Sequence, residues 1–154
     1  MTLPQPILRD QERQEVKRRL HDLKRDVTIR LFTQSTAAGL LIPGRECRYC
    51  PQTEQLYREL AALSPRLHLE VLDFYARPEE AQRYGVERIP CAVFSTDGDG
   101  RFRYYGIPLG YEFATVLETI VTLSKGTSPL KVEHRKKLKQ VQQDVHVQVF
   151  VTPG

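Results

Sequence analysis

The sequence lacks several features that would place it in a specialised class of protein. It contains no tryptophan, one methionine and only three cysteines in 154 residues. Three cysteines are too few for the disulfide framework that holds many small secreted domains together. No apolar run approaches the roughly 20 residues that cross a bilayer, and residues 1–25 contain no apolar signal core. We therefore expect a cytoplasmic protein that does not enter a membrane.

The charge of the chain is weakly positive and carries no signature of nucleic-acid binding. The formal net charge is +4, and much of the excess lies in residues 9–25 and 131–139. Both stretches have the pattern of helices with a solvated charged face. No aromatic platform or basic-region motif accompanies these charges. We therefore predict no nucleic-acid partner. The length of the chain is sufficient for a single hydrophobic core.

Two of the three cysteines form a CxxC motif, Cys47-Arg-Tyr-Cys50, followed directly by Pro51. Residues 52–63 carry leucines at helical spacing, so the motif lies at the start of a predicted helix. That position places the first sulfur near unpaired backbone N–H groups and the positive end of the helix dipole, which favours the reactive thiolate. The alternative is half of a zinc site, with Cys91 and a histidine completing it. No second CxxC or HxxxH is present, so we predict a redox dithiol and no bound metal.

Periodicity predicts the order of the elements along the chain. Helices are predicted over residues 10–23, 52–63, 79–84 and 111–123, and strands over 27–33, 68–74, 91–95 and 102–105. A crossover between the first two strands and a hairpin between the last two predict a mixed four-stranded sheet with helices on both faces. The CxxC lies at the carboxyl end of the first strand, where open α/β sheets place functional groups. A CxxC beside a βαβ pattern predicts a thioredoxin-like α/β fold, here with an extra N-terminal helix.

The pattern changes after residue 126. Residues 129–141 predict a basic helix, and residues 145–152 alternate strongly between apolar and polar side chains, as in a strand. This strand has no following helix to pack against, and an unpaired strand is a template for pairing with another chain. We therefore predict a domain over residues 1–126 and a helix–strand appendage over 127–154, through which two copies could form a homodimer.

Four stretches together resemble one family. They are residues 47–52 (CRYCPQ), 69–74 (LEVLDF), 88–90 (RIP) and 104–113 (YYGIPLGYEF). They are similar to the N-terminal half of the two-domain protein disulfide oxidoreductases of thermophilic prokaryotes, which are also described as glutaredoxin-like proteins. The resemblance extends over residues 10–154 and implies a thioredoxin fold, with residues 127–154 as a linker and the start of a second thioredoxin-like domain.

The resemblance also implies an activity and its participants. The activity is thiol–disulfide exchange with protein substrates, without a cofactor, and a protein similar to thioredoxin reductase is the expected electron donor. Cys47 is expected to be the nucleophile and Cys50 the resolving thiol. The bond between Ile89 and Pro90 matches the family's cis-proline position, where the backbone of Ile89 would pair with an extended substrate; the residues alone predict a trans bond. Tyr49 is expected to contact the partner.

Other interpretations remain beside this one. The chain could be a binding or adaptor module that recruits another chain through its C-terminal strand, or a glutathione-dependent glutaredoxin, although nothing independently marks a tripeptide pocket. Cys91 could be a third thiol at the site; we favour a small buried residue at the start of a strand. Tyr104 and Tyr105 are interpreted as packing residues of the fourth strand.

Overall fold

The elements follow the predicted order. The computed structural model describes residues 5–34, 44–98 and 100–151. In this part of the chain the helices are α1 (Asp10–His21), α2 (Cys50–Ala61), α3 (Pro78–Arg83), α4 (Tyr111–Lys125) and α5 (Val132–Leu138), and the strands are β1 (Val27–Thr33), β2 (Leu67–Asp73), β3 (Cys91–Ser95) and β4 (Phe102–Tyr105). None of the described helices combines the length and the apolar composition that crossing a bilayer requires.

The four strands form the predicted mixed sheet, in the order β2-β1-β3-β4. β1 pairs with β2 in parallel and with β3 in antiparallel orientation, so that Phe32 lies opposite Cys91. β3 and β4 form the predicted antiparallel hairpin. Because β1 and β3 run in opposite directions, the carboxyl end of β1 and the amino end of β3 meet at one edge of the sheet. This edge receives the residues that follow Thr33 and those that precede Cys91.

Alternation along the strands separates two hydrophobic clusters on opposite faces of the sheet. Val27, Ile29 and Leu31 of β1 lie in the larger cluster, together with buried residues of α1, α2 and α4. Phe32 lies in the smaller cluster, which α3 covers through Ala81. Burial of each large aliphatic side chain contributes about 1.5–3 kcal/mol. The larger cluster therefore fixes α2, and with it the CxxC motif, on the sheet.

The residues before α1 are attached to α2 through one carboxylate. The backbone N–H groups of Ile7 and Leu8 donate to the two oxygens of Glu59, each at 3.0 Å. Partial burial alone would raise the pKa of Glu59, but these two hydrogen bonds, one from Gln55 and the charge of Arg13 outweigh it and lower the pKa. The attachment therefore stabilises the fold above the usual pKa of glutamate, and the gain is lost as the pH falls through the lowered value.

The predicted C-terminal strand is wrong for the residues that the structure describes. Residues 145–151 form no strand, and every residue from 125 to 151 is exposed, including all of α5. The side chains of Val145, Val147, Val149, Phe150 and Val151 are 67–89% exposed. The alternating pattern is present, but strand structure also requires a hydrogen-bonding partner, and no described strand pairs with this segment.

Candidate functional site

The two cysteines of the motif are joined by a disulfide, with their Cα atoms 5.4 Å apart. Cys47 precedes α2 and is partly exposed, whereas Cys50 is the first residue of the helix and only 1% exposed. The Cys50 N–H donates to the carbonyl oxygen of Cys47 at 3.3 Å, which closes the turn between them. Cys47 is therefore the more accessible of the two cysteines.

The first turn of α2 holds Cys50 firmly. The carbonyl oxygen of Tyr49 accepts hydrogen bonds from both the backbone N–H (2.9 Å) and the hydroxyl (2.7 Å) of Thr53, which is fully buried. Pro51 lies in this turn, where its lack of an N–H costs no helical hydrogen bond. Further along, Tyr57 and Leu60 anchor the helix in the larger cluster. Cys50 thus lies on a rigid element, and the connection to Cys47 is a single tight turn.

Gln34 attaches the motif to the sheet. Its side-chain oxygen accepts the backbone N–H of Cys47 at 3.1 Å, and the residue itself follows β1 directly. The contact therefore fixes the position of Cys47 relative to the central part of the sheet. Sequence analysis missed this residue. The only signal is a polar residue directly after a strand that ends at the functional edge.

Two arginine side chains in or near the motif lie over tyrosine rings. The Arg45 guanidinium is 4.8 Å from the ring centre of Tyr75, and that of Arg48 is 5.8 Å from the ring centre of Tyr49. Tyr49 is 50% exposed and Tyr75 is 38% exposed. The ring of Tyr49 is therefore accessible at the surface beside the two cysteines. Tyr75 follows β2, and no sequence motif marks it.

The segment before β3 reaches the same edge of the sheet. The bond between Ile89 and Pro90 is cis, as the resemblance implies and as the residues alone do not predict. Pro90 is buried and Ile89 is partly buried. The carbonyl oxygen of Pro90 accepts the Gly106 N–H at 2.9 Å. Through the pairing of β3 with β1, these residues lie at the sheet edge to which Gln34 ties the CxxC motif.

Cys91 is a buried packing residue, in agreement with the interpretation that we favour. It is fully buried and lies in the smaller cluster beside Phe32 and Val93. Burial raises the pKa of its thiol to about 12, and the charges of Arg103 and Arg88 and a hydrogen bond with Tyr105 offset this only partly. The thiol therefore stays protonated at neutral pH, and the more reactive thiolate form is scarcely populated.

The donor set for a zinc site does not assemble in the described parts of the chain. Across residues 5–34, 44–98 and 100–151, no three side chains of histidine, cysteine, aspartate or glutamate lie together as metal ligands. The sulfur atoms of Cys47 and Cys50 are bonded to each other, and Cys91 is buried within the smaller cluster. The arrangement is one that can cycle between a dithiol and a disulfide.

Comparison with known proteins relates this geometry to other structures. The structure is similar to that of a protein disulfide oxidoreductase from Aeropyrum pernix, with 25% sequence identity and a TM-score of 0.72 over 86% of this chain and 55% of that chain. It is also similar to the alkylhydroperoxide reductase protein AhpF of Enterococcus faecalis, with 20% identity and a TM-score of 0.69 over 84% and 59% of the two chains. No curated protein matches the chain.

The two similar proteins are longer than this chain, so the similarity covers only part of each of them. The chain spans little more than half of each of the two proteins, so their activities as whole proteins do not transfer directly. A thioredoxin from Fasciola hepatica matches over 92% of its own length and 71% of this chain, with 20% identity and a TM-score of 0.50; at that identity the likeness shows the fold alone.

The family model described as thioredoxin domain matches residues 40–118, more than half of the chain. The protein therefore belongs to the thioredoxin-domain family.

Proposed function

We propose that the protein is a thiol–disulfide oxidoreductase that exchanges disulfides with protein substrates through Cys47 and Cys50. The observation that supports this most strongly is the geometry of the pair: a disulfide joins a partly exposed cysteine before α2 to a buried cysteine within it. The likeness to a protein disulfide oxidoreductase and the family of the chain agree with it. In this proposal residues 1–126 carry the chemistry, in the cytoplasm.

The reaction divides into two exchanges. In the reduced protein, the Cys47 thiolate attacks one sulfur of a substrate disulfide, forms a bond to it and expels the other substrate sulfur as a thiolate, which takes up a proton. Cys50 then loses its proton and attacks the sulfur of Cys47, and the second substrate sulfur leaves as a thiolate. The substrate gains two electrons and the dithiol becomes the observed disulfide. The reverse sequence oxidises a substrate dithiol.

The surroundings of the pair support these roles. The positive end of the α2 dipole favours a thiolate on a sulfur at the start of the helix. Ile89 and Pro90 lie at the same sheet edge, and we propose that the Ile89 backbone pairs with an extended substrate while Tyr49 contacts its side chains. Turnover requires an electron donor, for which we propose a flavoprotein similar to thioredoxin reductase; the likeness to an alkylhydroperoxide reductase protein agrees with an electron-transfer partner.

The test is the reduction of insulin by dithiothreitol in the presence of catalytic amounts of the protein. We expect the precipitation of the insulin B chain to begin earlier as the protein concentration rises. A parallel assay with glutathione as the reductant examines the glutaredoxin alternative, which predicts faster turnover with glutathione. A protein that accelerates neither reaction, and whose thiols resist alkylation after reduction, would contradict the proposal.

Gln34 provides a prediction about the reactivity of Cys47. Gln34→Glu retains an acceptor for the Cys47 N–H but adds a negative charge beside it, which disfavours a thiolate. We expect alkylation of Cys47 by iodoacetamide at pH 7 to slow by roughly three- to tenfold, with the pH–rate profile moved to higher pH. Gln34→Met, which is neutral and of similar length, is the matched control. Superimposable profiles for the two variants would show that a charge at this position does not affect the sulfur.

A second candidate function rests on the exposed C-terminal segment. Val145, Val147 and Val149 are 67–79% exposed, and β4 is an outer strand of the sheet whose residue Phe102 is 52% exposed. An adaptor role would have residues 145–151 pair with a strand of another chain, including a second copy. Light scattering coupled to gel filtration tests this: the role predicts a dimer that Val147→Asp dissociates, and a monomer at all concentrations would argue against self-association.

A further inference from the structure

The hydroxyl of Tyr105 contacts the loop that leads to the cis-proline. Tyr105 is the last residue of β4 and pairs with Cys91 across the sheet. Its hydroxyl donates a hydrogen bond to the carbonyl oxygen of Gly85 (3.3 Å) and accepts one from the backbone N–H of Glu87 (3.4 Å). A single side chain thus binds two backbone groups of the loop between α3 and β3, in addition to its contact with the Cys91 thiol.

The end of β4 provides further contacts to this loop. Hydrogen bonds at the end of α3 fix the loop as far as Val86, whose N–H donates to the Ala81 oxygen at 2.8 Å. Beyond that point Ile89 packs against the smaller cluster, and further contacts go to β4 and the residue after it. The Arg88 guanidinium lies 4.5 Å from the ring centre of Tyr105, and Gly106 binds the carbonyl oxygen of Pro90. We refer to residues 87–90 as the approach segment.

The other side of the loop is open. Gly85, Val86 and Glu87 form one wall of a groove of about 440 Å³, whose opposite wall includes Phe74 and Tyr75. Of the approach segment, Glu87 borders this groove, and Ile89 packs against the smaller cluster. The start of the segment lies beside open space, and the Tyr105 hydroxyl binds its backbone there through Glu87.

We propose that Tyr105 is a positioning residue for protein substrates, holding the approach segment so that the backbone of Ile89 is ready to pair with the substrate chain. This inference rests on the proposed function of Cys47 and Cys50. A segment that is ordered before binding loses less conformational entropy when the substrate arrives, which strengthens binding. A small disulfide forms no backbone pairing, so its reaction with Cys47 does not depend on Tyr105.

The substitution Tyr105→Phe removes the hydroxyl and keeps the ring. We expect the KM for insulin to rise about three- to tenfold, the effect of losing one or two modest hydrogen bonds. The kcat is expected to change by less than about twofold, because a residue that only positions the free substrate-binding segment affects binding more than the chemical step. The rate at which the reduced protein reacts with bis(2-hydroxyethyl) disulfide is expected to stay unchanged.

Tyr104→Phe is the matched control. Tyr104 is the neighbouring residue of β4, but its side chain packs against the larger cluster on the opposite face, and its hydroxyl donates to Glu112 of α4 at 2.6 Å. This variant loses the same atom without touching the approach segment, so its KM for insulin should match that of the wild type. Arg88→Met is a second test, since it removes the guanidinium over the ring and should raise the KM in the same direction.

The possible results separate this inference from the proposed function. An unchanged KM in Tyr105→Phe, with an active wild type, would overturn the positioning role alone. Equal losses against insulin and the small disulfide would also overturn it, because they would place the effect at the dithiol or in the fold; a thermal melt identifies the latter. A wild type that reacts with neither disulfide would overturn the proposed function and the positioning role together.

Discussion

Replacing Cys47 with serine is expected to reduce insulin reduction to the background rate of dithiothreitol alone. A serine hydroxyl is not ionised at neutral pH and cannot form the mixed disulfide from which the second exchange starts. Cys50 cannot substitute for it, since Cys50 is 1% exposed on the inner side of the α2 start. Substantial activity in Cys47→Ser would mean that another thiol attacks the substrate.

Cys50→Ser is expected to behave differently. Its Cys47 can still attack a substrate disulfide, but the resolving thiol is absent, so the mixed disulfide persists. We expect a covalent complex with the substrate on a non-reducing gel, which dithiothreitol separates into its two components. If Cys50→Ser forms no complex while Cys47→Ser does, the two roles are reversed.

Cys91→Ser is the control for both variants. Because Cys91 is buried and its pKa is raised, we expect this variant to retain its activity. The native reduced protein should accordingly show two thiols that react rapidly with a thiol reagent, and a third that reacts only after unfolding. Three rapidly reacting thiols in the native state would indicate that Cys91 is accessible and could act as a third thiol at the site.

Ser124→Ala is expected to destabilise the fold by about 3 kcal/mol, the cost of leaving several buried or partly buried polar groups without partners. The fully buried Ser124 hydroxyl accepts hydrogen bonds from the backbone N–H groups of Lys24 (2.7 Å) and Arg25 (2.9 Å). It also donates to the carbonyl oxygen of Arg25 at 2.8 Å. One side chain near the end of α4 therefore satisfies three backbone groups of the turn that leads into β1.

Urea and thermal unfolding of the oxidised protein measure this effect. For a chain of this size the loss corresponds to a decrease in Tm of roughly 6–12 °C. Thr119→Ala is the matched control, because this exposed hydroxyl of the same helix donates only to the Thr115 carbonyl oxygen; its effect should stay within about 0.5 kcal/mol. A loss below about 1 kcal/mol for Ser124→Ala would indicate that water replaces the hydroxyl.

Local pattern was sufficient to locate most of the elements. The three strands β1, β3 and β4 lie at the predicted residues because period-2 alternation and turn residues define both their faces and their ends. The bounds of α2 shifted toward the N-terminus, from residues 52–63 to 50–61. Pro51 explains the shift, since proline is well accommodated in a first helical turn and does not have to precede the helix.

Residues 145–151 show where pattern alone fails. Alternation describes how a strand would place its side chains, but pairing with another strand decides whether it forms. The local sequence contains no information about such a partner. The cis bond before Pro90 is a similar case: it was expected from the resemblance, whereas the residues themselves favoured trans.

The chemistry of the site could be predicted from the sequence, but the residues that hold the site in position could not. Cys47 and Cys50 carry a recognisable motif whose spacing determines what they can do. Gln34 carries no motif, and Tyr105, within the stretch 104–113, was interpreted only as a packing residue. Each contacts a backbone group thirteen to twenty residues away. Such contacts depend on the path of the intervening chain, so they are found only when the whole fold is known.

The sheet order has a consequence for the native-state fluctuations of the protein. β1 and β3 are hydrogen-bonded on both sides, whereas β2 and β4 are outer strands. Fraying of an outer strand is a local opening of modest cost, but separating the two inner strands approaches global unfolding. Gln34 extends from one inner strand and Pro90 leads into the other. An opening confined to β4 would therefore release the approach segment from Tyr105 and weaken substrate binding, while the base of the dithiol remains in its closed, slowly exchanging form.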